Sequence, residues 1–264
     1  MEISAMTGMV LPGFVVLFLV MCVLWLINIR IRNAAIVDFG WGNGFAILTL
    51  IYCYLGPGYL PRKLLIASMV VVWGARLALH LLFDRVLSNK PEDGRYVELR
   101  KGWKTRIDLK FFFFFQFQTI LVVVLSLPFY LMCVNPETSL SVLEWVGAAL
   151  WLTGLVGESV ADRQLKRFKD DPSNRGTTCR AGLWKYSRHP NYFFEWCVWV
   201  GYGVAAFPSP YGWAAVVSPL IMLSILLKVT GIPWTEEQAV RTRGDDYREY
   251  QRTTSMFVPW FPKK

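Results

Sequence analysis

Long apolar runs separated by short basic segments organise this chain. A membrane span needs roughly 20 mostly apolar residues. Seven runs approach that length: Leu11–Ile29, Ala34–Leu55, Leu64–Phe83, Phe111–Val134, Leu143–Val160, Tyr192–Phe207 and Tyr211–Val229. The sixth is short and is expected to extend back towards Pro190. The first lacks a basic leader and stays apolar to Ile29, which is long for a cleaved signal peptide, so it reads as a retained helix. The pattern predicts an all-α fold, a polytopic bundle of seven transmembrane helices forming one integral membrane domain over residues 1–264, with a tail over 230–264. The segments between runs are too short to fold alone and must pack against the bundle.

Charge supplies the orientation, because Lys and Arg accumulate in cytoplasmic loops. With the N-terminus outside, only Arg62 and Lys63 lie outside and Arg76 lies within a span; every other one of the 28 Lys and Arg residues falls on the inner side. The C-terminus is then cytoplasmic. A net charge of +9 would suit nucleic acid, but the charges alternate with membrane runs, so topology accounts for them and no nucleic-acid partner is expected. Hydrophobic residues make up 54% of the chain, with 12 Trp and 18 Phe, which fits lipid-facing surfaces and interfacial belts. Phe111–Phe115 is low in complexity and reads as such aromatics. The five cysteines, Cys22, Cys53, Cys133, Cys179 and Cys197, are scattered without metal-ligand spacing. Neither a disulfide nor a metal site is expected, and the chain is expected to be a monomer in contact with membrane lipid.

The tail carries its own signals. Gly231 and Pro233 are expected to stop the seventh helix. Thr235-Glu236-Glu237-Gln238 reads as a capping box opening another helix, which Gly244 ends. Asp245 and Asp246 then cap a short helix carrying Tyr247 and Tyr250, and Phe257, Trp260 and Phe261 return to the interface.

Ionisable residues inside a span cost about 2.5–3.5 kcal/mol on insertion scales and mark function. Here they are Asp38, Arg76, His80, Glu158, Asp162 and Glu195. Asp38 opens Asp38-Phe39-Gly40-Trp41-Gly42-Asn43-Gly44. No strand precedes it, so this is not a dinucleotide fingerprint. The glycines permit close helix approach, and Asp38 either pairs with a neighbouring Arg or acts chemically. Arg76 and His80 share a helix face that Asp84 continues; that face is either polar glue or a means for His80 to polarise a substrate. Gly154, Glu158, Asp162 and Lys166 are spaced by four and form one polar face, where Asp162–Lys166 is a candidate ion pair. The densest constellation is Gly182-Leu183-Trp184-Lys185-Tyr186-Ser187-Arg188-His189-Pro190-Asn191-Tyr192, followed by Glu195. Pro190 suits a first helical turn, whose free N–H groups attract anions. Lys185, Arg188 and His189 add positive charge, so the segment reads as a phosphate or pyrophosphate site, or as a basic loop for lipid headgroups.

The Arg188-His189-Pro190-Asn191-Tyr192 segment with Glu195 and the upstream Asp162 resembles the steroid 5α-reductase family, in particular its bacterial membrane branch. Val37-Asp38-Phe39-Gly40-Trp41-Gly42, Arg76-Leu77, Glu92-Asp93-Gly94-Arg95-Tyr96 and the Tyr247…Tyr250…Phe257-Val258-Pro259-Trp260 ending extend the resemblance over nearly the whole chain. It implies a seven-helix bundle with an NADPH cavity open to the cytoplasm of a bacterial inner membrane. Glu158 and Asp162 fall where the family has a cofactor-binding Asn and Asp, so Glu158 is a departure. Asn191 and Glu195 match the family's Asn and Glu, and the cofactor-binding tail aligns with Glu236, Glu237 and Tyr247. Lys166, Tyr186, His189 and Tyr192 join this cofactor set, and Arg95, Arg163, Arg180 and Arg188 are candidates for its phosphates. On the substrate side, Asp38 takes the place of the family's acid, with Trp41 and Arg76 nearby. His80 falls at or beside the family's catalytic Tyr, a second departure.

The implied activity is NADPH-dependent reduction of a conjugated C=C bond in a lipophilic enone such as a 3-oxo-Δ4-steroid, with Asp38 and His80 catalytic. Two alternatives stay open. Membrane methyltransferases of the isoprenylcysteine carboxyl type carry a similar Arg-His-Pro-x-Tyr segment and Glu-Glu…Tyr tail, and use S-adenosylmethionine. A non-catalytic sterol- or lipid-binding membrane protein is the other. Asp162 and the Asp38 helix favour the reductase, and a pure lipid pocket has little need of Glu158, Asp162, Asn191 and Glu195.

Overall fold

The computed structural model describes residues 3–82, 92–229 and 231–263. The end of the third predicted span at Phe83, the continuation of its polar face to Asp84, and the basic residues Arg85 and Lys90 lie outside the described residues. Among those residues the fold is entirely helical, as the apolar runs predict, with no strand. Five stretches are long and apolar enough to cross a membrane: Thr7–Ile31, Ile36–Leu55, Leu60–Leu81, Ile107–Leu125 and Gly212–Arg243, the last ending in a polar helix. The predicted spans 143–160 and 192–207 fall outside this set. Their helices carry Glu144 and Glu158 in one case and only 17 residues in the other.

The chain folds into two compact units. The first, Met1–Ser141 with Pro208–Ala214, contains α1 (Ile3–Ile31), α2 (Ile36–Leu55), α3 (Leu60–Leu81), α4 (Gly94–Trp103), α5 (Ile107–Leu125) and α6 (Leu127–Val134). Glycine brings α2 and α3 together: a Cβ on Gly74 would lie 2.8 Å from the Gly42 carbonyl oxygen. On the opposite side of α2, a Cβ on Gly40 would lie 2.3 Å from Leu24 Cδ1 of α1. The expected close approach is therefore real, and each glycine serves a different neighbour.

The fourth predicted span is not one helix. Pro128 in the first turn of α6 lacks an N–H and cannot continue the α5 ladder. The chain breaks at Ser126, whose Oγ donates to the Val123 carbonyl at 2.7 Å and whose carbonyl accepts from Phe129 N at 3.0 Å. Arg62, expected as an outside loop charge, is instead buried, 1% exposed. Its guanidinium donates to the carbonyls of Asn135, Glu137 and Ser139 at 3.2, 2.6 and 2.6 Å, holding the loop that leaves α6.

The second unit, Val142–Phe207 with Ala215–Lys264, contains α7 (Val142–Asp170), α8 (Pro190–Ala206), α9 (Val217–Ser224), α10 (Ile232–Arg243) and α11 (Asp245–Thr253). α7 and α8 touch through small residues. A Cβ on Gly147 would meet the Ala205 backbone nitrogen at 2.4 Å, one on Gly154 the Val198 nitrogen at 2.7 Å, and one on Gly201 the Trp151 nitrogen at 2.6 Å. Gly154, read as part of a polar face, is thus the contact point of two helices. The tail differs from expectation at one cap. α10 begins at Ile232, with Pro233 in its first turn, so Pro233 starts this helix. Thr235 lies inside the helix, where its Oγ1 bonds back to the Gly231 carbonyl at 2.9 Å, and it is not a cap. Gly244, at φ +56°, ends α10, and Asp245 and Asp246 occupy the first turn of α11, both as predicted.

Candidate functional site

In the second unit, the Arg188 segment and the tail meet around one carboxylate. Gly182 adopts φ +57° in a turn held by Gln164 of α7, whose Oε1 accepts from Leu183 N at 2.9 Å. Trp184 then donates to the Ala161 carbonyl at 2.9 Å, and α8 starts at Pro190 as its ring requires. Arg188, just before α8, donates Nε to Glu236 Oε1 at 2.6 Å and Nη1 to the carbonyls of Gln251 and Thr254, both at 2.8 Å. Its backbone N–H donates to Ser255 O at 2.8 Å. His189 Nε2 lies 3.2 Å from the same Glu236 oxygen, and Gln251 Nε2 donates to Glu236 Oε2 at 2.9 Å. Tyr247 Oη completes the group at 3.4 Å.

Electrostatics follow from this geometry. Burial alone would raise Glu236, but hydrogen bonds from His189, Arg188 and Gln251 and the Arg188 charge hold it down to about 2. Burial pushes the His189 imidazole below its usual range, against the opposing pull of Glu236. Burial likewise pushes the Tyr247 phenol up. Arg188, His189, Glu236 and Tyr247, all proposed cofactor contacts, therefore form one internal network. Arg188 is only 9% exposed.

The facing sides of α7 and α8 carry the remaining polar residues. Asn191 Nδ2 donates to Asp162 Oδ1 at 3.2 Å, and Asn191 Oδ1 accepts from Tyr192 N at 3.0 Å. Glu195 is buried and accepts from Trp199 Nε1 at 3.0 Å; Glu158 is also buried. Tyr192 stacks on His189 at 5.5 Å between ring centres, and its hydroxyl lies 3.3 Å from Thr235 Oγ1. Tyr186 accepts Trp260 N at its carbonyl, 2.9 Å away, which ties the tail to the turn.

Other predicted contacts lie at the surface. Lys166 pairs with Asp170 at 2.9 Å, Glu237 with Arg241 at 3.0 Å, and Arg180 with Asp246 at 2.8 Å. Arg163 is exposed on α7.

The first unit holds a separate acid–base cluster. Asp38 receives Arg95 Nη2 at 3.2 Å and the Tyr96 hydroxyl at 2.6 Å, and Arg95 also pairs with Asp93 at 3.0 Å. The expected pairing of Asp38 with an Arg is thus present, but the partner comes from a segment 57 residues away. Trp41 packs on Phe45 and Trp73 at 4.8 and 6.2 Å. Arg76 is half-buried one turn beyond Trp73, and His80 is exposed near the end of α3. Sequence reasoning missed Tyr96 and Gln251 as site members. Both sit in polar segments whose partners are distant in the chain; the Glu92–Tyr96 motif was the signal available for Tyr96.

Five apolar stretches of membrane-crossing length make this an all-helical protein compatible with integral membrane insertion, and its second unit carries a glycine-packed hairpin with buried carboxylates. Residues 24–254 match a family described as "Protein of unknown function (DUF1295)", of the steroid 5-alpha-reductase-like superfamily. The chain belongs to that family. It is similar to the uncharacterized protein C594.04c of Schizosaccharomyces pombe, at 26% identity over 94% of this chain and 78% of that one. A second uncharacterized protein of that yeast, C9.08c, is 35% identical over 32% of this chain and 36% of its own length. Bovine 3-oxo-5-alpha-steroid 4-dehydrogenase 1 is 34% identical over 29% of this chain and 30% of that protein. No solved structure matches.

Proposed function

We propose that this chain is an NADPH-dependent reductase of a conjugated C=C bond in a lipophilic enone, acting in a seven-span topology with its C-terminal tail in the cytoplasm. The observation that carries the reading is the Asn191–Asp162 hydrogen bond of 3.2 Å, which joins α7 and α8 beside buried Glu158 and Glu195. A lipid pocket gains nothing from these groups, because buried polar atoms cost free energy unless a partner repays it. The partial likeness to the bovine 3-oxo-5-alpha-steroid 4-dehydrogenase supports the same class of reaction.

The residues fit the cofactor in kind. Asn191, Asp162 and Glu195 offer an amide and carboxylates suited to carboxamide and ribose hydroxyl groups, and exposed Arg163 and Lys185 offer cations for phosphate. Bound NADPH supplies a hydride. This chain's own residues orient the cofactor, exclude water and provide a proton. Reduction of an enone develops negative charge on the carbonyl oxygen, which needs an aimed donor. The candidate donors are His80, at the exposed end of α3, and Tyr96, whose hydroxyl donates to Asp38 at 2.6 Å and would have to turn from it to act.

Ligand-linked stabilisation tests the reading. At a hundredfold excess over Kd, binding adds about 2.7 kcal/mol, visible as a rise in Tm of the detergent-purified protein. A rise with NADPH and none with S-adenosylmethionine supports the reductase. A rise with S-adenosylmethionine alone overturns it in favour of a methyltransferase. No rise with either overturns it in favour of a lipid-binding protein.

A further inference from the structure

Two of the five scattered cysteines meet. Cys53, in the last turn of α2, and Cys133, beside the last residue of α6, are 80 positions apart in sequence, yet their Sγ atoms lie 3.4 Å apart. A disulfide bond is about 2.05 Å long, so the sulfurs need to close by about 1.4 Å. Both residues stand at helix ends, where one turn adjusts without disturbing a long ladder. The surroundings are polar: Cys53 Sγ donates to the Lys63 carbonyl at 3.4 Å, Lys63 Nζ donates to the Gly56 carbonyl at 2.9 Å, and Gly58 N donates to the Cys133 carbonyl at 2.9 Å. The buried Arg62 clamp on Asn135 and Glu137 holds the same pair of loops. Cys133 is buried and Cys53 is partly exposed, so a reagent meets Cys53 first.

We propose that Cys53 and Cys133 form a redox site, a dithiol poised for oxidation to a disulfide by thiol–disulfide exchange. The more accessible Cys53 attacks a sulfur of a disulfide-bearing donor as its thiolate, and one donor thiolate leaves. Cys133 then attacks the Cys53 sulfur of that mixed disulfide, and the second donor thiolate leaves. The two cysteines lose two protons and two electrons, and the donor disulfide is reduced to two thiols. The new bond ties the end of α2 to the end of α6 and closes the loops at 56–59 and 135–139 upon each other. The bland alternative is a pair of small apolar core residues; it leaves both thiols free whatever the solution potential. The proposed topology puts this end of the bundle outside, where disulfides persist, although the inference stands on the sulfur geometry and not on the reductase reading.

The test uses the full-length protein in detergent, treated with oxidised glutathione or with a reductant, then denatured and alkylated without reduction. The expected result is alkylation of all five cysteines in the reduced sample. After oxidation, only Cys22, Cys179 and Cys197 are alkylated, and a Cys53–Cys133 peptide appears that is lighter by two hydrogens. Five alkylated cysteines after oxidation, in a tube where a control dithiol peptide has closed, overturn the proposal. So does glutathione retained on Cys53 with Cys133 free. In the C53S variant, every remaining cysteine stays alkylable under both conditions; loss of two thiols there would also overturn the pairing.

Discussion

Arg188 joins the start of α8 to the C-terminal tail through Glu236, Nε to Oε1 at 2.6 Å, with side chains 9% and 15% exposed. The remaining Arg188 donors go to the carbonyls of Gln251 and Thr254. Arg188, suggested by sequence as a phosphate ligand, also clamps the tail in place. Removing one partner of a buried pair leaves an uncompensated charge and costs about 3–5 kcal/mol. R188A is expected to lower Tm sharply and expose the segment after Gly231 to limited proteolysis. An unchanged proteolytic pattern would show that the tail is held by other contacts.

The same network sets an acid sensitivity. Glu236 is held at about 2, below the usual carboxylate range, so its contribution is present above pH 4.5 and is lost as pH falls towards 2. His189 is held below its usual 6.5 in the fold, so the unfolded chain takes up a proton first. Stability is then full above pH 6.5 and declines as pH falls through that value. Tm measured from pH 8 to pH 2 is expected to drop in two stages, with the upper stage absent in H189Q.

The α7–α8 contact leaves no room for a methyl group. G147A places a Cβ 2.4 Å from the Ala205 backbone nitrogen, and G201A places one 2.6 Å from that of Trp151. Overpacking costs about 1–3 kcal/mol or more where backbone must move. G102A, with nothing within 4 Å of the added Cβ, is the control; Ala is favoured over Gly in a helix by roughly 0.5–1 kcal/mol, so that variant is expected to be neutral or slightly stabilised. Thermal melts of the three variants check the ordering.

Under the proposed reductase activity, general acid catalysis contributes about 10²–10⁴-fold. Y96F is expected to reduce turnover by a factor in that range while leaving NADPH-linked stabilisation intact, because it keeps the ring and removes only the hydroxyl. H80F discriminates between the two donors. Wild-type turnover in H80F with loss in Y96F assigns the proton to the Asp38–Tyr96 pair; the reverse returns it to His80.

Changes on the α7–α8 hairpin are expected to act oppositely. N191A removes the amide that donates to Asp162. It should abolish most of the NADPH-induced rise in Tm without the proteolytic exposure of the tail predicted for R188A. Equal NADPH shifts in N191A and wild type would place the cofactor elsewhere.

The sequence by itself determined the helical class, the start of α8 at Pro190, the break at Gly244 and the close approach at Gly42, because each depends on local periodicity or on backbone freedom at one residue. Only the tertiary structure decided which partner each buried charge takes. Nothing local to Arg62 or Arg188 names its partners, yet their donors end on carbonyls 63–77 residues away. Asp38 finds Tyr96, and Cys53 finds Cys133, through contacts of equally long range. Helix signals span one turn and can be read from neighbours in the chain. Partner choice between buried polar groups depends on how distant segments return to each other, and no local pattern encodes that.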